Sequence, residues 1–255
     1  MADKPGSYTA NNYFYKPSLD APYDTDEGKY ERDLFEVALD TADAFLGALD
    51  TYISVNTTAN SIQFGIGSSY TEIEADGTLE YHGGAKVWRD EKIRVGSAKL
   101  HPTATPSWAT YQGGYVLTFD GAVDNTLYFE AQLNHDYAEG ENVEFHIHYV
   151  PEDATAGNHR WKLGYTWASI GATFASQATV SKVIAAPGVA NRHSVSTISA
   201  TISGTNKSIS SMIICELTRT ASHASDTYNN KHIKLIGADF HYPCNTTGSR
   251  EMYSK

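Results

Sequence analysis

The sequence predicts a mostly β protein, a jelly-roll-like antiparallel β-sandwich preceded by an extended N-terminal arm and one helix. Three observations carry this. Beyond Pro102, eight candidate strands follow one another, at 115–119, 126–133, 142–150, 160–168, 178–184, 194–202, 209–218 and 232–242. Turn residues punctuate them at Gly121, Gly140, Asp153 to Asn158, Gly171, Pro187-Gly188, Gly204-Thr205-Asn206 and Asp226 to Asn230. No helical period lies between them, and eight such strands suit two four-stranded sheets. With 255 residues, 41% of them hydrophobic, the chain can build one sizeable core plus appendages.

Residues 1–29 are polar, and Pro5, Pro17 and Pro22 forbid a regular helix there. Tyr8, Tyr13, Phe14, Tyr15 and Tyr23 make the stretch too aromatic for an inert tail, so an arm lying on another protein surface is expected. Residues 30–53 carry the helical period. Leu34, Val37, Ala38, Phe45, Leu49 and Tyr52 form one apolar stripe, and Phe35, Leu39, Ala42 and Leu46 a second. Such a helix needs partners, through self-association or docking on the β-domain, and Gly47 weakens its C-terminal turn. Residues 54–100 are short runs broken by glycine, with Asp76-Gly77 as a hairpin signal, and are expected to form a connector with little core. Residues 101–255 are expected to form the eight-stranded sandwich. Within it, 194–202 shows a thin apolar face that suits an edge or interface strand.

The formal charge is -11 and the pI about 5.3. So acidic a surface repels nucleic-acid backbones, and no nucleic-acid partner is expected. Residues 1–50 hold eleven Asp and Glu against four Lys and Arg, which concentrates the negative charge there. Two cysteines, Cys215 and Cys244, are too few for a disulfide framework, and Cys215 reads as a buried thiol. No signal peptide and no membrane insertion are expected, since the N-terminus lacks an apolar core and no apolar run approaches a bilayer span.

The most informative stretch runs from Asn134 to Tyr149. A turn closes around Gly140, then His146 and His148 alternate with Phe145, Ile147 and Tyr149, so the two histidines share one strand face. Two readings follow. Gly140, His146, His148 and Glu152 match the front half of the cupin metal motif, with His193 or His241 as a fourth ligand. The second cupin motif is incomplete: Pro187-Gly188 is adjacent, and His193 follows without the rest. The other reading makes His146 and His148 a packing and hydrogen-bonding pair, on the inner face or at a subunit contact, with no cofactor and no catalysis. No Gly-x-Ser-x-Gly nucleophile elbow and no phosphate loop is present. Trp88, Trp108, Trp161 and Trp167 are read as core and subunit contacts rather than a sugar platform.

Three stretches resemble a family of tailed-bacteriophage virion structural proteins. They are Thr71 to Leu79 with Ala85 to Asp90, then Leu127 to Gly140 running into Phe145-His146-Ile147-His148-Tyr149, and Asp239-Phe240-His241-Tyr242 with Gly248-Ser249-Arg250 and Lys255. Asn134-His135 stands where those relatives usually carry Pro-His, and His148-Tyr149 where they carry His-Trp. The resemblance covers roughly 70–255 and implies a particle component such as a head fibre, decoration protein or neck or tail appendage. It further implies a homotrimer located in the virion after synthesis in the host cytoplasm. Another virion protein would be met through residues 1–53, and a host surface glycan is a candidate partner of the distal domain.

Overall fold

The computed structural model describes residues 6–8, 15–17 and 26–255, with side chains from residue 37 onward. Most of the expected arm therefore lies outside the described residues, including Tyr13, Phe14 and Tyr23. The chain divides into two compact units, residues 1–85 and 86–255.

In the first unit, β1 (Gly6–Tyr8) pairs antiparallel with β2 (Tyr15–Pro17). The helix α1 spans Asp26–Tyr52, starting a turn earlier than expected and continuing through Gly47. It is followed by β3 (Ile53–Asn56), β4 (Ser61–Ile66), β5 (Ser69–Ile73) and β6 (Leu79–His82), an antiparallel meander in that order. The hairpin signal is used as read. Gly77 takes the left-handed φ of 86°, its N–H bonds Glu74 O at 2.9 Å, and Asp76 Oδ1 accepts the Thr78 N–H at 2.8 Å.

Register decides the faces of this sheet. Ile62 lies opposite Val55 and Ile73, and Phe64 opposite Ile53 and Thr71. One face is therefore apolar, and it is the exposed one: Val55 is 66% accessible, Ile66 58%, and Ile62 and Phe64 42% each. The polar face is the better covered, with Ser61 and Glu72 buried. In α1, Val37, Phe45, Leu49 and Tyr52 are exposed, and no described residue is fully buried.

The second unit opens with β7 (Val87–Ile93), β8 (Lys99–Leu100) and β9 (Ser107–Tyr111). Then come the eight expected strands: β10 (Gly114–Phe119), β11 (Asn125–Gln132), β12 (Val143–Pro151), β13 (Asn158–Ala168), β14 (Ala178–Ala185), β15 (Ser194–Ile202), β16 (Met212–Arg219) and β17 (Ile233–Cys244). These eight form two four-stranded sets, β15-β12-β17-β10 and β14-β13-β16-β11, each antiparallel throughout. Numbered one to eight, the orders are 6-3-8-1 and 5-4-7-2, the jelly-roll winding. The expected boundary at residue 101 is corrected. β7 pairs with β17 over Val87–Ile93 and β8 with β11, so the sandwich begins near residue 86 and the connector ends there. The polar run Arg89-Asp90-Glu91-Lys92 gave no core signal because β7 presents most of its side chains to solvent.

The two sheets enclose one core. Phe129 on β11 stacks on Phe145 on β12 at 5.7 Å, and Phe119 on β10 meets Trp161 on β13 at 4.8 Å, which joins the layers. Trp161 and Trp167 are buried, whereas Trp88 and Trp108 are exposed. Cys215 is buried in the core and its thiol is pushed up by burial. β15 is an edge strand, as its thin face suggested, with Ile198 and Ile202 inward and Val195 outward. At one end of the core Arg219 is fully buried. It donates to both carboxylate oxygens of Asp226, at 3.0 and 3.1 Å, and to Lys231 O at 2.7 Å.

Candidate functional site

His146 and His148 lie where alternation puts them. Val143, Phe145, Ile147 and Tyr149 of β12 enter the core, while Glu144, His146 and His148 turn away from it, half-buried. Register lays out the outer face in rows. Thr197, His146, Asp239 and Lys92 form one row across β15, β12, β17 and β7. Glu144, His241 and Asp90 form the next, and Val195, His148 and Gly237 a third.

Four imidazoles gather on this face. His146 stacks with His241 at 5.4 Å and His148 with His193 at 5.3 Å, and His241 also stacks on Trp88 at 4.6 Å. Their nitrogens meet carboxylates or each other. His146 Nε2 is 3.1 Å from Glu144 Oε2, and His241 Nδ1 is 2.6 Å from Asp90 Oδ1. His148 Nδ1 is 3.0 Å from His193 Nε2, and its Nε2 is 3.3 Å from Asp239 Oδ1. Asp239 is 95% buried beneath them, at 5% accessibility. Burial raises its carboxyl above the ordinary carboxylate range, with His148 opposing and Asp90 reinforcing the shift.

A groove of about 460 Å³ runs beside this cluster, lined in part by Asp90, Arg94, His148, His193, Gly237 and Asp239. A Cβ added at Gly237 would meet nothing within 4 Å, so the groove floor is bare there. The arrangement offers hydrogen-bond donors and acceptors of both charges to a polar surface. His148 Nδ1 is engaged by His193, whereas its Nε2 approaches Asp239 Oδ1 without an aligned hydrogen bond, and that buried oxygen has no hydrogen-bond partner.

Glu152 is not beside the histidines. It follows the end of β12, and its Oε2 accepts the His232 N–H at 2.6 Å. The structure thus pairs His146 with His241 and His148 with His193, and leaves Glu152 apart from both. Among the described residues, ligand atoms of three such groups lie within 4.8 Å of one another only at Glu72, Glu80 and His82, in the first unit. Sequence reading passed over that trio. Its signals were Glu80 and His82 at i, i+2 in a short run assigned to the connector, and the Asp76-Gly77 hairpin that sets Glu72 opposite Glu80.

The turn before β12 is bonded at almost every residue. Asn134 Nδ2 donates to Tyr242 Oη and to Glu91 Oε2, each at 2.8 Å, and Tyr242 Oη donates to Asp136 Oδ1 at 3.0 Å. Arg89 meets Asp136 Oδ2 at 2.7 Å. His135 holds Ser249 at 2.6 Å through Nδ1 and Ser210 at 2.9 Å through Nε2. Glu139 Oε1 accepts the Ile209 N–H at 2.9 Å, and Gly140 turns the chain with a φ of 82°. These contacts tie the turn to β7, β17, the segment before β16 and the C-terminal segment.

No protein-family model and no curated protein matches the chain. Solved structures similar to it include a family 28 carbohydrate-binding module specific for non-crystalline cellulose. That match has 10% identity and a TM-score of 0.32, covering 56% of this chain and 86% of that one. Another is the CBM36-1 domain of a multidomain xylanase from the hindgut metagenome of Trinervitermes trinervoides, at 13% identity and a TM-score of 0.32, covering 60% and 96%. A third is a family 35 carbohydrate-binding module from Clostridium thermocellum, at 11% identity and a TM-score of 0.34, covering 59% and 97%. Scores this low establish no relationship and assign no ligand to this chain.

Proposed function

We propose that the chain is a non-catalytic structural component of a tailed-bacteriophage particle, a head fibre, decoration protein or neck or tail appendage. It assembles as a homotrimer through the first unit, joins another virion protein through residues 1–53, and displays the jelly-roll unit. The observation that carries this reading is the inverted sheet of the first unit. A lone chain leaves Val55, Ile62, Phe64 and Ile66 in water while covering Ser61 and Glu72. Contiguous exposed apolar surface of this kind suits a contact with copies of the same chain. The bonding of the Asn134–Gly140 turn supports the same reading: the residues that carry the family resemblance are engaged in holding strands together.

Deleting residues 1–29 tests the attachment. The truncated chain should fold, retain its β-sheet circular dichroism and no longer join particles. Incorporation at normal occupancy would overturn attachment through this region.

A further inference from the structure

We propose that Glu72, Glu80 and His82 form a binding site for one divalent transition-metal ion, of the zinc or manganese class, which staples β5 to β6. The inference stands on local geometry alone and does not depend on the virion reading.

Glu72 and Glu80 are directly opposed across β5 and β6, and His82 follows Glu80 on the same face. Like charges in such a pair repel, so the arrangement calls for a cation between them. His82 Nε2 is 2.9 Å from Glu72 Oε2 and 3.3 Å from Glu80 Oε2. Two ligands about 2.1 Å from a metal stand about 3.0 Å apart at a right angle and about 3.4 Å apart at a tetrahedral angle. The observed separations match that spacing. His82 Nε2 is sealed from solvent and, despite the short approaches, has no aligned hydrogen-bond partner.

The surroundings are those of a held ligand set. Ser61 Oγ and Gln63 Nε2 both donate to Glu72 Oε1, the latter at 3.2 Å, and leave Oε2 facing His82. Tyr70 stacks on the His82 ring at 4.4 Å and fixes its plane. Outer partners of this kind orient metal ligands. One imidazole with two carboxylates favours zinc, manganese or ferrous iron over calcium or magnesium. With its apolar face turned outward, this small sheet has little core, and a metal crosslink is a recurrent remedy.

The full chain, purified without a His-tag and stripped with chelator, should be dialysed against zinc chloride or manganese chloride and assayed by elemental analysis. One equivalent per chain is expected for at least one metal. At a hundredfold excess over Kd, the unfolding midpoint of this unit should rise by about 5 °C or more. Glu80→Gln and His82→Asn should each abolish stoichiometric binding, and Gln63→Met should weaken it about 10–100-fold. His146→Ala with His148→Ala should leave it intact. The proposal is overturned if the unmodified chain retains neither metal at micromolar concentrations. It is equally overturned if binding survives Glu80→Gln and His82→Asn and is lost in the His146→Ala, His148→Ala variant.

Discussion

The apolar sheet face is where substitution should act on assembly and on little else. Ile62 and Phe64 sit at its centre, each 42% accessible in the isolated chain. Complete burial of such a side chain is worth about 1.5–3 kcal/mol, so covering the remaining exposure contributes roughly 1 kcal/mol each. Val55, Ile66 and Ile73 add similar amounts, which brings the face to about 5 kcal/mol per chain before association costs. Ile62→Glu with Phe64→Glu removes about 2 kcal/mol of that and places two carboxylates where burial costs several kcal/mol more. Together these effects should weaken association by at least about a thousandfold. In light scattering at micromolar concentration, the unmodified chain should give three times 27.9 kDa and the double variant 27.9 kDa. Ile62→Val should remain trimeric. Near-ultraviolet circular dichroism should be unchanged, since Trp161 and Trp167 lie in the other unit. An unmodified chain that is monomeric, or a double variant that is trimeric, would rule out assembly through this face.

Two further predictions concern the jelly-roll core. Arg219→Met should destabilise this unit by about 3–5 kcal/mol, because it leaves the buried Asp226 carboxylate without its bidentate partner; urea unfolding followed by tryptophan fluorescence measures it. Arg219→Met, Asp226→Leu should recover much of the loss. His159 is buried and accepts the Trp161 Nε1–H at 2.7 Å; burial, then the Arg219 charge, pushes its pKa down to about 3. The folded state therefore binds fewer protons than the unfolded state between pH about 3 and 6.5, and stability should fall as pH drops through that window, by up to about 4 kcal/mol. His159→Gln should flatten that slope, and an identical slope in both proteins would contradict the assignment.

Much of the sandwich was legible because its strands announce themselves. Apart from the edge strands β14 and β15, the strands from β10 to β17 carry strong apolar phases, and all lie between turn residues with a definite backbone task, such as Gly140 at φ 82°. Alternation put His146 and His148 on one face and Phe145, Ile147 and Tyr149 on the other, but which face meets the core is decided by the packing of the two sheets. A short run at 85–89 marked the start of β7, but its extent and pairing, and the strand β8, were not legible, since their partners β17 and β11 are distant in sequence and β7 is largely exposed and charged. His193, His241 and Asp239 could be counted but not gathered, because only register brings them to one face. Glu72 reaches Glu80 and His82 through a hairpin visible in Asp76-Gly77. That trio could have been found by carrying the hairpin one step further to its cross-strand pairs. Arg219 gave no signal of its burial, since the charge is compensated by Asp226 and by main-chain carbonyls of Lys231 and Tyr228.

The proposed function makes this chain a component of an assembled particle. Quantitative mass spectrometry of purified virions, with the full chain as an isotope-labelled standard, tests it most directly. A fixed copy number in multiples of three is expected, in the hundreds for a capsid decoration and about a dozen for a neck or tail appendage. Absence from particles that retain their other structural proteins would rule out a virion role.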